Sequence, residues 1–194
     1  MVSIITPTTH DRAEFNERCK RIVSAQTYPN IEHIMLYEQF NTLGEKMNEC
    51  IKRAKGGIIV NMDSDDIYAP DWTERIVHYL QTSGADVVGL KHGYFDRSGQ
   101  LLSYTYPIHT TALLGATMAH TKQFWERRKY NPKNVGYDVD FTVKDCKVAV
   151  FDYSDGFIAT IHSGNVSPKN TTGTSWRTYD DWPTQLIELK KGLN

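Results

Sequence analysis

Short β-branched runs and amphipathic stretches alternate three times before residue 85, and nothing else in the sequence constrains the fold as much. Residues 2–5 read as a buried strand that Pro7 brings to an end, because the residue before a proline is pushed out of the helical region. Phe15, Cys19, Ile22 and Val23 then recur at helical spacing within residues 12–25. Tyr28-Pro29-Asn30 turns the chain into a second strand over 31–37. Thr42-Leu43-Gly44-Glu45 has the spacing of a capping box, with Thr42 as N-cap and Glu45 reaching back. The helix it opens ends near Lys55, before Gly56-Gly57. Residues 58–62 form a third strand, and Pro70 suits the first turn of a helix that stops near Gly84. Such repeats give an α/β fold, a parallel sheet with helices on both faces. Ligands of these sheets bind beyond the carboxyl ends of the strands.

The second half is less periodic. Residues 86–90 read as a strand and 94–106 as a hairpin around Arg97-Ser98-Gly99. Thr121 caps a short helix through Arg128, residues 148–151 and 157–161 are late strands, and 186–190 form a closing helix. Trp72, Tyr79 and Phe15 sit at core spacing and are assigned to packing. Trp125, Trp176 and Trp182 are read the same way, with stacking on a sugar as the alternative.

Several classes drop out on composition. The 194 residues suit one domain, and 40% hydrophobic with 23% charged residues is a globular balance. No apolar run approaches the ~18 residues of a membrane span, and Met1-Val2-Ser3-Ile4-Ile5 lacks the basic lead of a signal peptide. A cytoplasmic location without a transmembrane segment is the expectation. The net charge of -1 supplies no field that would draw in nucleic acid. Cys19, Cys50 and Cys146 are odd in number and far apart, which fits neither a disulfide framework nor a zinc site. The basic run from Arg127 to Lys133 reads as a solvated helix end, with a phosphate-bearing acceptor as the sharper alternative.

Asp63-Ser64-Asp65-Asp66 crowds three carboxylates directly after the third strand. Like charges this close raise one another's pKa unless a cation compensates, and oxygen-only ligands suit Mg or Mn. An equally open reading is a solvated turn before the helix at Pro70, with Asp66 as its cap. A calcium loop is excluded, since its sixth position from Asp63 holds Tyr68 rather than Gly. A phosphatase-type motif would need Thr at position 67, where Ile67 stands.

Taken in order, these segments resemble a family 2 glycosyltransferase of the GT-A type over about residues 2–170. The matching stretches are Val2-Ser3-Ile4-Ile5-Thr6-Pro7-Thr8, Ser24-Ala25-Gln26-Thr27-Tyr28-Pro29-Asn30-Ile31-Glu32, Gly44-Glu45-Lys46-Met47-Asn48 with Ala54-Lys55-Gly56, and the acidic cluster as an Asp-x-Asp motif. Downstream, Leu114-Gly115-Ala116-Thr117-Met118-Ala119-His120 resembles the loop beneath the donor sugar. Val135-Gly136-Tyr137-Asp138-Val139-Asp140-Phe141 is similar to the stretch with the family's catalytic acidic pair. Ile161-His162-Ser163-Gly164-Asn165-Val166-Ser167-Pro168-Lys169 resembles its C-terminal histidine segment. Two departures stand out: Tyr137-Asp138 replaces Glu-Asp, and the acidic turn after the second strand reduces to Glu38.

The resemblance implies a Rossmann-like α/β fold with a mixed, mostly parallel sheet, and inverting transfer of a hexose from a nucleoside-diphosphate sugar, a UDP-sugar by preference, to an acceptor hydroxyl, with Mn or Mg as cofactor. It makes Asp138 the general base, with Asp140 as fallback, and Asp65 and His162 the metal ligands. Thr6, Pro7, Thr8, Glu38, Lys46, Asn48, Asp63, Ser64, Gly115 and Ala116 would hold the donor. Residues 1–110 would then form the donor half, 111–170 the acceptor and catalytic half, and 171–194 a tail. The acceptor is a saccharide, a protein side chain or a hydroxymethylated base in DNA. Readings of other kinds are a non-catalytic nucleotide-sugar binding module and a nucleotidyltransferase.

Overall fold

The computed structural model describes residues 1–143, 145–167 and 169–192. Its first half follows the expected alternation: β1 (Val2–Pro7), α1 (Ala13–Ser24), β2 (Ile31–Leu36), α2 (Leu43–Arg53), β3 (Ile58–Asn61), a two-residue β4 (Ile67–Tyr68), α3 (Trp72–Ser83) and β5 (Val87–Gly89). The capping box at Thr42 and Glu45 is formed in both directions. Gly84 ends α3 in the left-handed region, at φ 65°, where glycine carries no Cβ penalty. The second half contains β6 (His92–Arg97), β7 (Gln100–Thr105), β8 (Ala119–Thr121), α4 (Lys122–Arg127), α5 (Tyr137–Thr142), β9 (Val148–Val150), β10 (Phe157–Thr160), β11 (Trp176–Tyr179) and α6 (Thr184–Lys191). Thr121 caps α4 by accepting from the Phe124 N–H at 3.1 Å.

Two sheets carry the fold. The larger has the order β2-β1-β3-β8-β5-β9, and β1 pairs in parallel with both β2 and β3. β8 runs antiparallel to both of its neighbours, so the sheet is mixed. Successive side chains on a strand face opposite sides. Ile4 accordingly packs with Cys19, Ile22, Trp72 and Ile76 of α1 and α3. Its neighbour Ile5 packs with Met47, Ile51, Phe124 and Phe141 of α2, α4 and α5. Helices therefore cover both faces.

The expectation of one sheet needs a correction. The hairpin of β6 and β7, with Ser98 and Gly99 at positive φ in its tip, joins a second sheet of order β11-β7-β6-β10-β4. Leu186 of α6 closes one side of that sheet over Ile67, Leu101 and Ile158. β4 pairs Ile67 with Ile158 and Tyr68 with Phe157. This short seam brings the C-terminal third of the chain to the residues that follow β3.

Trp72 and Tyr79 pack in the core as expected. Trp125 is buried with its Nε1 on Asn48 Oδ1 at 2.8 Å, Trp176 leans on Phe95 and Tyr104, and Trp182 Nε1 donates to Gly99 O at 2.9 Å. The basic run finds partners within the protein: Lys129 over Trp125, Arg127 with Asp86, Lys133 with Asp140. Cys19, Cys50 and Cys146 are free thiols, and burial pushes Cys19 up to about 11 and Cys50 to about 12. Among the described residues no helix is long and apolar enough to cross a membrane.

Candidate functional site

β3 delivers Asp63, Ser64, Asp65 and Asp66 past the carboxyl edge of the large sheet, and β4 then ties the chain into the small one. The acidic loop thus bridges two sheets, which fixes its backbone from both ends. The Tyr68 hydroxyl accepts the Asp63 N–H at 2.9 Å and donates to Ala116 O at 3.0 Å, so the loop at Gly115–Thr117 is pinned against it. The three carboxylates offer oxygens within 4.8 Å of one another. Burial, reinforced by Asp65, pushes Asp63 up to about 7, and burial with the same neighbours drives Asp66 well above the usual carboxylate range. Clustered hard oxygens held at such electrostatic cost fit a divalent cation. Asp66 does not cap α3. Its Oδ1 accepts the Thr160 N–H at 2.9 Å, while Asp71 takes the N-cap position, because β4 intervenes between Asp66 and the helix.

Asp65 is the centre of the site. Its Oδ2 meets His162 Nε2 at 2.8 Å, Asn165 Nδ2 at 3.1 Å and Arg12 Nη2 at 3.2 Å. The Gly164 N–H donates to His162 Nδ1 at 3.1 Å, which leaves the ring proton on Nε2, directed at Asp65. His162 therefore reaches Asp65 alone of the acidic cluster, as a hydrogen-bond donor. Pro168, in the same segment, lies outside the described residues. Arg18 donates to the main-chain oxygen of Asp65 from α1, and Phe15 lies against the His162 ring with centroids 4.8 Å apart. Phe15 corrects its assignment to packing: among the described residues it joins none of the hydrophobic clusters, and it lines a cavity with Arg12 and His162 while Arg18 packs over its ring. Arg12, Phe15, Arg18 and Asn165 are site residues that sequence reasoning missed. The available signal was the three-residue spacing of the first three, which runs from the 3-10 turn His10–Arg12 into α1.

Asp138 enters from the opposite side. Gly136, at φ 75°, makes the turn into α5, and Asp138 is the second residue of that helix. Its Oδ1 accepts the Val139 N–H at 2.9 Å. Burial raises its pKa above the ordinary carboxylate value, against the pull of backbone N–H groups and Lys169. Gly115 packs on it so closely that a Cβ there would lie 2.5 Å from Asp138 Oδ2. Tyr137 is buried beside Tyr130. Asp140 faces outward, where Lys133 and Asn131 hold it and Lys133 keeps its pKa low.

A cavity of about 280 Å³ unites Asp63, Asp65, Asp66, Gly115, Ala116 and Asp138. A second, of about 730 Å³, shares Pro7 and Arg12 with it and holds Thr8, Lys46, Phe40 and His162. The other predicted donor residues are spread more widely. Thr6 is buried, with its hydroxyl on Met62 O at 2.8 Å and on His33 at 3.0 Å. Ser64 is buried beneath the loop, accepting from Thr8 at 3.2 Å. Lys46 donates to Thr8 O, and burial holds its pKa down. Asn48 ties Trp125 to Tyr130 and lines neither cavity. Glu38 pairs with Arg53 at 2.8 Å on the solvent side and also lines neither.

Known proteins share this arrangement at the level of fold. The structure of S. aureus TarS 1-349 in complex with UDP-GlcNAc superposes with a TM-score of 0.65 at 14% identity, over 99% of this chain and 65% of that one. The mannosyltransferase PcManGT from Pyrobaculum calidifontis, in complex with GDP-Man and Mn2+, gives 0.62 at 14% identity, over 84% and 58%. The chain therefore spans less than two thirds of the length of either. No curated protein sequence matches it. The family description "Glycosyl transferase family 2" matches residues 11–151, most of the sequence. The fold is GT-A, and the chain belongs to glycosyl transferase family 2.

Proposed function

We propose that the chain is a metal-dependent inverting glycosyltransferase that moves a hexose from a nucleoside-diphosphate sugar, UDP-linked by preference, to an acceptor hydroxyl. One observation carries the reading: a half-buried carboxylate, Asp138, packed against Gly115, shares a single cavity with the acidic triad. Inversion needs a base on the side of the sugar opposite the leaving group, and two separate acidic centres on one cavity supply that division of labour. The neighbours that bind UDP-GlcNAc, and GDP-Man with Mn2+, support the donor class.

In this reading residues 1–110 hold the donor, with Pro7, Thr8 and Lys46 along the larger cavity and the diphosphate leading toward Asp65. A divalent cation, Mn or Mg, held by Asp63, Asp65 and Asp66 would offset the charge of the departing diphosphate. Asp138 takes the proton of the attacking hydroxyl. Its raised pKa brings it closer to that task, and general-base assistance contributes typically 10²–10⁴-fold. Gly115 lets the sugar end of the donor approach Asp138 without a side chain in the way.

The test combines binding and turnover. UDP, GDP, CDP and TDP are each added with and without Mn while the melting temperature is followed. At 100 times its dissociation constant a ligand adds about 2.7 kcal/mol, which is about 5–10 °C for a chain of this size. UDP should act only with Mn present. Asp138→Asn should keep that shift and lose nucleoside-diphosphate release by at least ~10²-fold. Unchanged release removes Asp138 as the base, and pyrophosphate as product would make the chain a nucleotidyltransferase.

A further inference from the structure

Arg12 occupies the partition between the two cavities, at the end of the 3-10 turn His10–Arg12, with a side chain only 18% exposed. A diphosphate that joins a nucleoside in the larger cavity to a sugar beside Asp138 must cross this partition. We propose that Arg12 is a transferable counter-cation, which neutralises Asp65 in the donor-free protein and passes to the diphosphate when donor and metal bind. The inference rests on the proposed donor class and adds a residue to it.

The geometry is that of a displaceable contact. Asp65 Oδ2 receives N–H groups from His162, Asn165 and Arg12 at 2.8, 3.1 and 3.2 Å. A carboxylate oxygen has two lone pairs, so three donors overfill it, and Arg12 makes the longest of the three contacts. A divalent cation ligated by that oxygen repels the guanidinium, whereas the Asn165 amide carries no charge. Arg12 has neutral partners besides: Gly164 O at 2.8 Å, Ser64 Oγ at 3.4 Å, and the Phe15 ring 5.9 Å from its central carbon. Asp65 is its one ion pair among the described residues. Once that charge is taken up by metal, the nearest compensation for a guanidinium is the phosphate anion, which its planar fork matches in bidentate fashion. Arg18 differs, because it is bound to the main-chain oxygen of Asp65, which metal binding does not neutralise.

A transferable cation has effects of opposite sign on two ligands. MnCl2 alone is titrated by calorimetry into wild type, Arg12→Met and Arg12→Lys, and UDP and GDP are then titrated at saturating Mn. Arg12→Met should bind Mn alone several-fold more tightly, having lost its competitor, and bind the diphosphate about tenfold or more weakly. Arg12→Lys retains the charge without the fork, so Mn binding should stay near wild type while diphosphate binding falls. An arginine that only braces the fold weakens both ligands in Arg12→Met, and that result overturns the proposal. So does wild-type behaviour of Arg12→Met, or, should that variant not fold, of Arg12→Lys toward the diphosphate. If wild type itself binds neither Mn nor any diphosphate, the donor reading fails instead.

Discussion

Gly115→Ala separates catalysis from folding in a single methyl group. A Cβ at Gly115 would lie 2.5 Å from Asp138 Oδ2, 3.0 Å from its Cβ and 3.1 Å from its Cγ. These are its three nearest neighbours, and all belong to Asp138, so the strain falls on one side chain. Ordinary contact begins at 3.4 Å, and Oδ2 must therefore retreat by about 0.9 Å. A misplacement of ~1 Å in a reacting group can cost about 10²-fold. The backbone raises no objection, since Gly115 is not among the glycines at positive φ. Replacing Gly by Ala at such a position stabilises by about 0.4–1 kcal/mol through the unfolded chain, which offsets part of the crowding. We expect a melting temperature within a few degrees of wild type, an unchanged dissociation constant for UDP with Mn, and kcat reduced about 10²-fold. The assay is release of nucleoside diphosphate from a panel of UDP- and GDP-sugars, run beside Asp138→Asn. If Gly115→Ala turns over within threefold of wild type while Asp138→Asn is inactive, tight placement of the carboxylate is not what the reaction needs.

Three further outcomes follow from the same contacts. His120 is fully buried among Phe124, Tyr130 and Phe141, and burial lowers its pKa from 6.5 to about 4. The unfolded chain therefore takes up the proton first, and stability present above pH 6.5 is lost as the pH falls toward 4, by about 1.4 kcal/mol per unit. Urea unfolding of His120→Phe at pH 7 and pH 5 should show a smaller difference than wild type, and an equal difference would refute the assignment. Gly44→Ala should unfold about 5–10 °C lower, because its Cβ would sit 1.9 Å from the main-chain oxygen of Asn131, which cannot rotate away. A melting temperature unchanged by that substitution would mean that the loop at Asn131 moves freely against α2. Asp63→Asn removes a carboxylate whose charge burial and Asp65 both oppose, so the metal-free protein should melt a few degrees higher while losing its Mn-dependent shift with UDP. Destabilisation without metal would show that Asp63 is already compensated in the fold.

Local signals carried the helix boundaries. The capping box at Thr42, the cap at Thr121 and the left-handed stop at Gly84 each depend on residues within a turn of one another, and all three form as their spacing implies. The acidic cluster was legible for a related reason: a strand that ends in carboxylates can only deliver them to the sheet's carboxyl edge. The second sheet was not legible. Its joining strand, β4, is two residues long, and nothing in Ile67-Tyr68 specifies a pairing with Ile158 and Phe157 some ninety residues away. Glu38 was opaque in the same sense, since its partner is Arg53, the last residue of α2 and fifteen positions on, rather than a residue in its local pattern.

The two aspartates of α5 show where a physical rule was available and went unused. Taken only as a motif, residues 135–141 leave Asp140 as a fallback for Asp138. Read as a helix, they do not, because residues two apart on a helix point to different sides. Asp138 accordingly turns inward onto Gly115, and Asp140 turns outward to Lys133 and Asn131. From the 3-10 turn into α1, Arg12, Phe15 and Arg18 follow at three-residue spacing and meet Asp65 and His162. In both places side chains at the start of a helix line a cavity. The site is built at helix starts, and Phe15 shows that a position which core periodicity alone assigns to packing can serve as a cavity wall instead.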